Sequence, residues 1–283
     1  MKKSSFYIPL IIAAAASMAA CSVKTPSGST PPLPDVEFGE MGAYNEWAES
    51  YGYAGGLLTQ DGMNGVYMDR FMTPPESPGY DSGSIVIGDS RCCQLGIYQQ
   101  RSGRSDFAAF GVWGGRYWVN RAPAIMTDTL VSAVESCFRR QIEVHGRSRI
   151  FFFATVNDYD STGSKNAESI AQAIKAAEKL ALMEYEFKGS LHRPEVIVIG
   201  FDGCMEGVTA YGSGPNGFNG YIAEYNSALR AAVEKSGVLK EYADRFTTVP
   251  EIAGTTGFIC DALHYDDLTL NKICEHIRKS AEP

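Results

Sequence analysis

From residue 84 onward, short apolar runs alternate with longer stretches whose apolar residues recur at helical spacing. That alternation is the signature of a parallel sheet covered by helices on both faces. The pattern predicts strands at 84–88, 149–155, 195–200 and 246–251, with a further short strand near 108–113. Helices are expected near 91–101, 127–144, 166–187, 219–236 and 267–280. Thr127 or Asp128 can cap the second helix, and Ala171, Ile174, Ala177 and Leu180 give the third a buried face. The fold class is therefore α/β, and no internal repeat is apparent.

Before residue 84 the pattern changes. Lys2 and Lys3 precede the apolar stretch 6–16, which leads to Met18-Ala19-Ala20-Cys21. A basic start, a short apolar run and small residues read as an export signal, too short for a permanent membrane span. Its last four residues resemble a bacterial lipobox, so residues 1–21 are expected to be a lipoprotein signal peptide with Cys21 as the lipidated first residue of the mature chain; cleavage near Ala20 and free secretion is the alternative. Residues 22–35, rich in Ser, Thr, Pro and Gly, suit a flexible tether. Residues 36–82 carry Trp47, Tyr51, Tyr53 and Tyr67 without a clean period and read as an N-terminal extension packed on a main domain at 83–283.

With 45% hydrophobic and 20% charged residues in 283, the chain can build a substantial core. A net charge of −8 and no basic run argue against nucleic acid. Arg139-Arg140 and Arg147–Arg149 read as helix-end and loop charges. An acidic exterior does not attract anionic lipid, so membrane residence would rest on the lipid anchor alone. Cys92, Cys93, Cys137, Cys204, Cys260 and Cys274 have spacings that fix no disulfide framework. Cys204 and Cys260 each follow a predicted strand and share a sheet edge, where a bridge can form, while Cys137 and Cys274 fall on helical faces as small apolar residues. No Cys-x-x-Cys occurs, and His145, His192 and His276 lie in separate segments, so no metal or cofactor is expected. The Gly-rich segment 211–220 lacks the lysine of a phosphate loop and reads as a mobile loop beside a cleft.

The chemistry concentrates at a few positions. Ile85-Val86-Ile87-Gly88-Asp89-Ser90 is a strand that breaks off at a glycine with a serine immediately after it, the place where α/β proteins present a nucleophile. Gly-Asp-Ser is also ordinary turn and N-cap chemistry. A serine nucleophile needs a base, an orienting acid and an oxyanion site. In Asp261-Ala262-Leu263-His264 an acid three residues before a histidine can reach imidazole Nδ1 and leave Nε2 for a hydroxyl. Asn157 follows the strand at 149–155 and is placed to donate its side-chain NH2 into a site. In Gly114-Gly115-Arg116-Tyr117 a residue without a side chain would leave its N–H open to a substrate oxygen, unless the pair is a simple tight turn.

In that order, Gly88-Asp89-Ser90, Gly115, Asn157-Asp158 and Asp261-x-x-His264 resemble the four blocks of the SGNH hydrolases, also called GDSL-type esterases and lipases. The resemblance covers about Ser84 to the C-terminus and implies a three-layer α/β/α, flavodoxin-like fold. It implies Ser90 as nucleophile, His264 as general base and acid, and Asp261 as its orienting partner. The oxyanion hole would be the N–H of Ser90, the N–H of Gly115 and the side chain of Asn157. Gly114 competes with Gly115 for the second block; Gly115 is preferred because Gly115-Arg116 looks like the pattern of carbohydrate acetylesterases. Two positions depart from the family pattern: Thr155 stands where the third block has glycine, and Arg91 follows the serine where leucine is common. No Gly-x-Ser-x-Gly occurs, which argues against the ordinary α/β-hydrolase elbow. The expected activity is hydrolysis of carboxylic esters, foremost short acyl groups on a carbohydrate, by an exported, envelope-anchored enzyme. A non-catalytic glycan-binding lipoprotein and an acyltransferase using the same triad are the alternatives.

Overall fold

The computed structural model describes residues 58–61, 64–68, 83–112, 114–118, 123–204, 217–258 and 263–281. Its centre is a sheet of parallel strands: β3 (Ser84–Gly88), β4 (Ala108–Val112), β5 (Arg149–Phe153), β8 (Glu195–Gly200) and the short β9 (Thr247–Thr248). They lie in the order β4-β3-β5-β8-β9, the doubly wound arrangement of flavodoxin-like folds. A hairpin of β1 (Leu58–Asp61) and β2 (Asn64–Met68) extends the sheet on the β4 side, with β2 antiparallel to β4. These strands fall within a segment whose sequence has no clean period.

The strands are buried on both faces, which is why they read as unbroken apolar runs. Ile85 and Ile87 of β3, with Phe110, Ile150, Phe152, Val196 and Val198, face a core covered by α2 (Asp128–His145), α3 (Asn166–Ala181) and α4 (Ile222–Lys235). The intervening Val86, Ala109, Phe151, Phe153, Ile197 and Ile199 face a second core under α1 (Ser90–Arg101) and α6 (Asp267–Ala281). Strand alternation thus divides the molecule into three layers, α/β/α. Thr127 caps α2 by accepting from the Leu130 N–H, as its sequence suggests.

Three expectations need correction. The helix expected over 166–187 ends at Ala181, and a hairpin of β6 (Tyr185–Phe187) and β7 (Ser190–His192) follows. Tyr185 and Phe187 stack across their strand with centroids 6.1 Å apart, and Lys188-Gly189, both at positive φ, close the turn. The strand expected over 246–251 shrinks to Thr247–Thr248, because Thr248 and Glu251 form a capping box and Pro250 sits in the first turn of α5 (Val249–Ala253). Arg149 is no loop charge: it opens β5, is 6% exposed and pairs with Glu195 of the neighbouring strand at 2.6 Å.

Cys137 and Cys274 are buried on the inner faces of α2 and α6. Cys204 is a buried free thiol, and Cys260, the partner the sequence left open for it, lies outside the described residues. Among the described residues no helix is long and apolar enough to cross a membrane. The expected export signal, Cys21, the expected tether and residues 211–216 of the Gly-rich segment also lie outside them.

Candidate active site

Strand order reverses between β3 and β5: from β3 the chain goes to β4 on one side, then crosses back over β3 to reach β5 on the other. Ligands of open α/β sheets bind in the crevice at such a point, beyond the carboxyl ends of the strands. Ser90 follows β3 and Asn157 follows β5, so both stand at this edge.

The turn after β3 is tight. A Cβ on Gly88 would lie 2.5 Å from Cys92 Sγ and 3.0 Å from Phe153 Cβ, so only glycine lets α1 start this close to the sheet. Asp89 then caps α1: its side-chain Oδ1 accepts the Arg91 N–H at 3.0 Å, and its carbonyl accepts from Cys92 at 2.9 Å. Ser90 therefore occupies the first helical position, where the backbone N–H has no intrahelical acceptor and the helix dipole is positive. The turn-and-cap reading of Gly-Asp-Ser holds: Asp89 is the cap, and the cap places Ser90 at the start of α1.

His264 Nε2 lies 2.8 Å from Ser90 Oγ, across 174 residues of chain. Both side chains are nearly buried, each 5% exposed. For Nε2 to accept the serine proton, the ring's own proton must sit on Nδ1. Asp261, expected to hold that proton, lies outside the described residues.

The third block is fixed by the other oxygen of Asp89. Oδ2 accepts from Thr155 Oγ1 at 2.8 Å, from the Val156 N–H at 3.2 Å and from Asn157 Nδ2 at 3.2 Å. Thr155 Oγ1 also lies 2.8 Å from the Gly115 carbonyl and accepts the Asn157 N–H at 3.0 Å. The Thr155 hydroxyl is thus a junction joining the segments of Asp89, Gly115 and Asn157, which no sequence pattern reveals. Asn157 Nδ2 has Asp89, the Gly115 carbonyl and Thr155 Oγ1 each at 3.2 Å. Two of these are acceptors only, which settles that the NH2 rather than the carbonyl of the amide faces them. Arg116 donates to the Asn157 carbonyl at 2.5 Å, and the next residue's N–H is held by Asp158 at 2.6 Å.

The second block requires a correction. The Gly115 N–H donates to the Val112 carbonyl at 2.8 Å and closes a turn, so it is not open to a substrate oxygen. Position 115 needs glycine because a Cβ there would sit 2.7 Å from Ile125 Cγ1 and from Val112 Cβ and O. Gly114, at the third position of that turn with φ +67°, keeps an N–H that the closing bond does not use.

Burial raises the pKa of two neighbours. The Cys92 thiol, within the first turn of α1, is pushed well above its usual range by burial and then by the adjacent Asp89 carboxylate, so it stays protonated and does not compete with Ser90. Tyr117 is likewise held neutral by burial, its hydroxyl donating to the Phe153 carbonyl at 2.8 Å. His145 and His276 are at the end of α2 and in α6, and His192 is in the β6–β7 hairpin; among the described residues no cluster could hold a metal.

No protein-family model and no curated protein matches the sequence. Solved structures do: a carbohydrate acetylesterase family member from Sinorhizobium meliloti is 13% identical with a TM-score of 0.44, over 70% of this chain and 95% of that one. A putative arylesterase from Agrobacterium tumefaciens is 14% identical at 0.44, over 70% and 96%. The aryl esterase of M. smegmatis is 11% identical at 0.46, over 70% and 96%. At these identities and scores the chemistry of the site is read from its own geometry.

Proposed function

We propose that this chain is a serine esterase in which Ser90 is the nucleophile and His264 the general base and acid. The observation that carries the reading is the 2.8 Å contact of His264 Nε2 with Ser90 Oγ at the start of α1, at the switch point of the sheet. A hydroxyl so placed can lose its proton to imidazole as it attacks an ester carbonyl. The tetrahedral oxyanion forms beside the Ser90 N–H, where the helix dipole favours negative charge. Asn157 Nδ2, turning one of its two N–H bonds from the Asp89 or Gly115 oxygen to the oxyanion, and the Gly114 N–H are the further donors, with Gly114 in place of Gly115. His264 then returns the proton to the leaving alcohol, and water releases the acyl group by the same steps. Asp261 is assigned to Nδ1 of His264 from its sequence position.

The substrate class follows from the sequence: an exported protein, held at a bacterial envelope membrane through lipid on Cys21, with the Gly115-Arg116 pattern of carbohydrate acetylesterases, fits removal of acetyl or other short acyl groups from a glycan. The test is hydrolysis of p-nitrophenyl acetate and of an acetylated oligosaccharide by the full chain and by Ser90→Ala. Turnover of both esters by the former and of neither by the latter is expected; activity retained in Ser90→Ala would end the serine mechanism.

A further inference from the structure

Arg91, the second departure from the family pattern, is 3% exposed, yet among the described residues it makes no ion pair. A buried guanidinium without a carboxylate is costly unless its donors are satisfied. Among the described residues they are satisfied by backbone carbonyls alone. Nε and Nη2 donate to the Leu263 carbonyl at 3.2 and 2.9 Å, Nη1 to the Asp202 carbonyl at 2.6 Å, and Nη2 to the Gly203 carbonyl at 2.5 Å. Its guanidinium carbon stands 4.6 Å from the centroid of the Tyr265 ring, the residue after His264.

Three remote segments therefore meet on one planar cation: the nucleophile turn, the chain leaving β8, and the turn that bears the base. Leu263 and Tyr265 flank His264 in sequence, and Arg91 engages both. Arg91 also follows Ser90 directly, so its grip on the base turn is tied to the nucleophile through a single peptide bond.

We infer that Arg91 is a positioning residue that sets the His264–Ser90 hydrogen bond by holding the Leu263 carbonyl and the Tyr265 ring. This rests on the esterase reading above for its kinetic consequence and on geometry alone for its structural one. The fork of the guanidinium is essential, because one ammonium cannot serve carbonyls on separate segments in a fixed plane. Loosening the base by about 1 Å costs on the order of 10²-fold in rate.

The experiment compares the full-length protein, Ser90→Ala, Arg91→Met and Arg91→Lys with p-nitrophenyl acetate, and solves the crystal structure of Arg91→Met. For Arg91→Met we expect kcat to fall on the order of 10²-fold with KM within about threefold. Arg91→Lys is expected to recover less than a tenth of the loss, and the crystal to show the Nε2–Oγ contact broken. A kcat for Arg91→Met within about threefold of the unsubstituted protein, full recovery by Arg91→Lys, or a retained contact would overturn the inference. An unsubstituted protein no more active than Ser90→Ala would defeat the esterase reading instead, and the crystal distance would still decide the role of Arg91. Should Arg91→Met not fold, Arg91→Lys carries the same readings; failure of both to fold would overturn the inference by assigning Arg91 to the fold.

Discussion

The two halves of the site are held together by opposite charges. On the oxyanion side a buried carboxylate, Asp89, gathers N–H and O–H donors from α1 and from the chain after β5. On the base side a buried guanidinium, Arg91, gathers carbonyls from the chain after β8 and from the turn before His264. The two hubs are two residues apart with Ser90 between them. A carboxylate accepts and a guanidinium only donates, so each draws in the backbone groups that the other cannot satisfy. The difference teaches that the turn at Ser90 is the mechanical centre of the site, with the proposed donor set and the proposed base mounted on its two neighbours.

Breaking the acceptor hub should have the largest effect. Asp89→Ala strands the Val156 N–H at roughly 1–3 kcal/mol, removes the α1 cap at about 0.5–2 kcal/mol, and leaves the Thr155 hydroxyl and the Asn157 amide only their contacts with Gly115 and each other. We expect a loss of about 3 kcal/mol in chemical denaturation together with a rate loss on the order of 10³-fold. A variant with unchanged denaturation midpoint would show that the hub is not structural.

Asn157→Ala separates chemistry from scaffold on the same side. It removes a donor while leaving Asp89 its Thr155 and Val156 partners, so kcat should fall about 10²- to 10³-fold with a much smaller change in stability. Equal losses in both would merge the two roles. Smaller still is Thr155→Val, which keeps the shape and deletes the hydroxyl, at about 1–3 kcal/mol of stability; Thr155→Ser should restore it. A Thr155→Val protein melting with the unsubstituted one would mean the hydroxyl junction contributes nothing.

The sheet was legible because strands buried on both faces leave continuous apolar runs such as Ile85–Ile87 and Ile150–Phe153. The meeting of Ser90 and His264 was legible because a serine directly after a strand's closing glycine and a histidine in a late turn are the residue types that a nucleophile and its base would require. The hairpin at β6–β7 was hidden because Met183 and Phe187 continue the helical spacing of Leu180, while Tyr185 and Phe187 give too short an alternation to outweigh it before Lys188-Gly189 turns the chain. The Gly115 assignment failed for a different reason: sequence shows that a side chain is missing but not whether the space serves a ligand or, as here, Ile125 and Val112. Thr155 and Arg91 stood out only as departures. Their work is done through backbone carbonyls and a carboxylate brought in from distant segments, which no spacing along the chain reveals.

The central claim, that Ser90 is made nucleophilic by His264, is tested most directly by intact-mass measurement after treatment with a fluorophosphonate ester. A single adduct on Ser90 is expected in the unsubstituted protein, absent from Ser90→Ala and formed far more slowly in His264→Ala. An adduct that persists in Ser90→Ala, or labelling indifferent to the loss of His264, would contradict it.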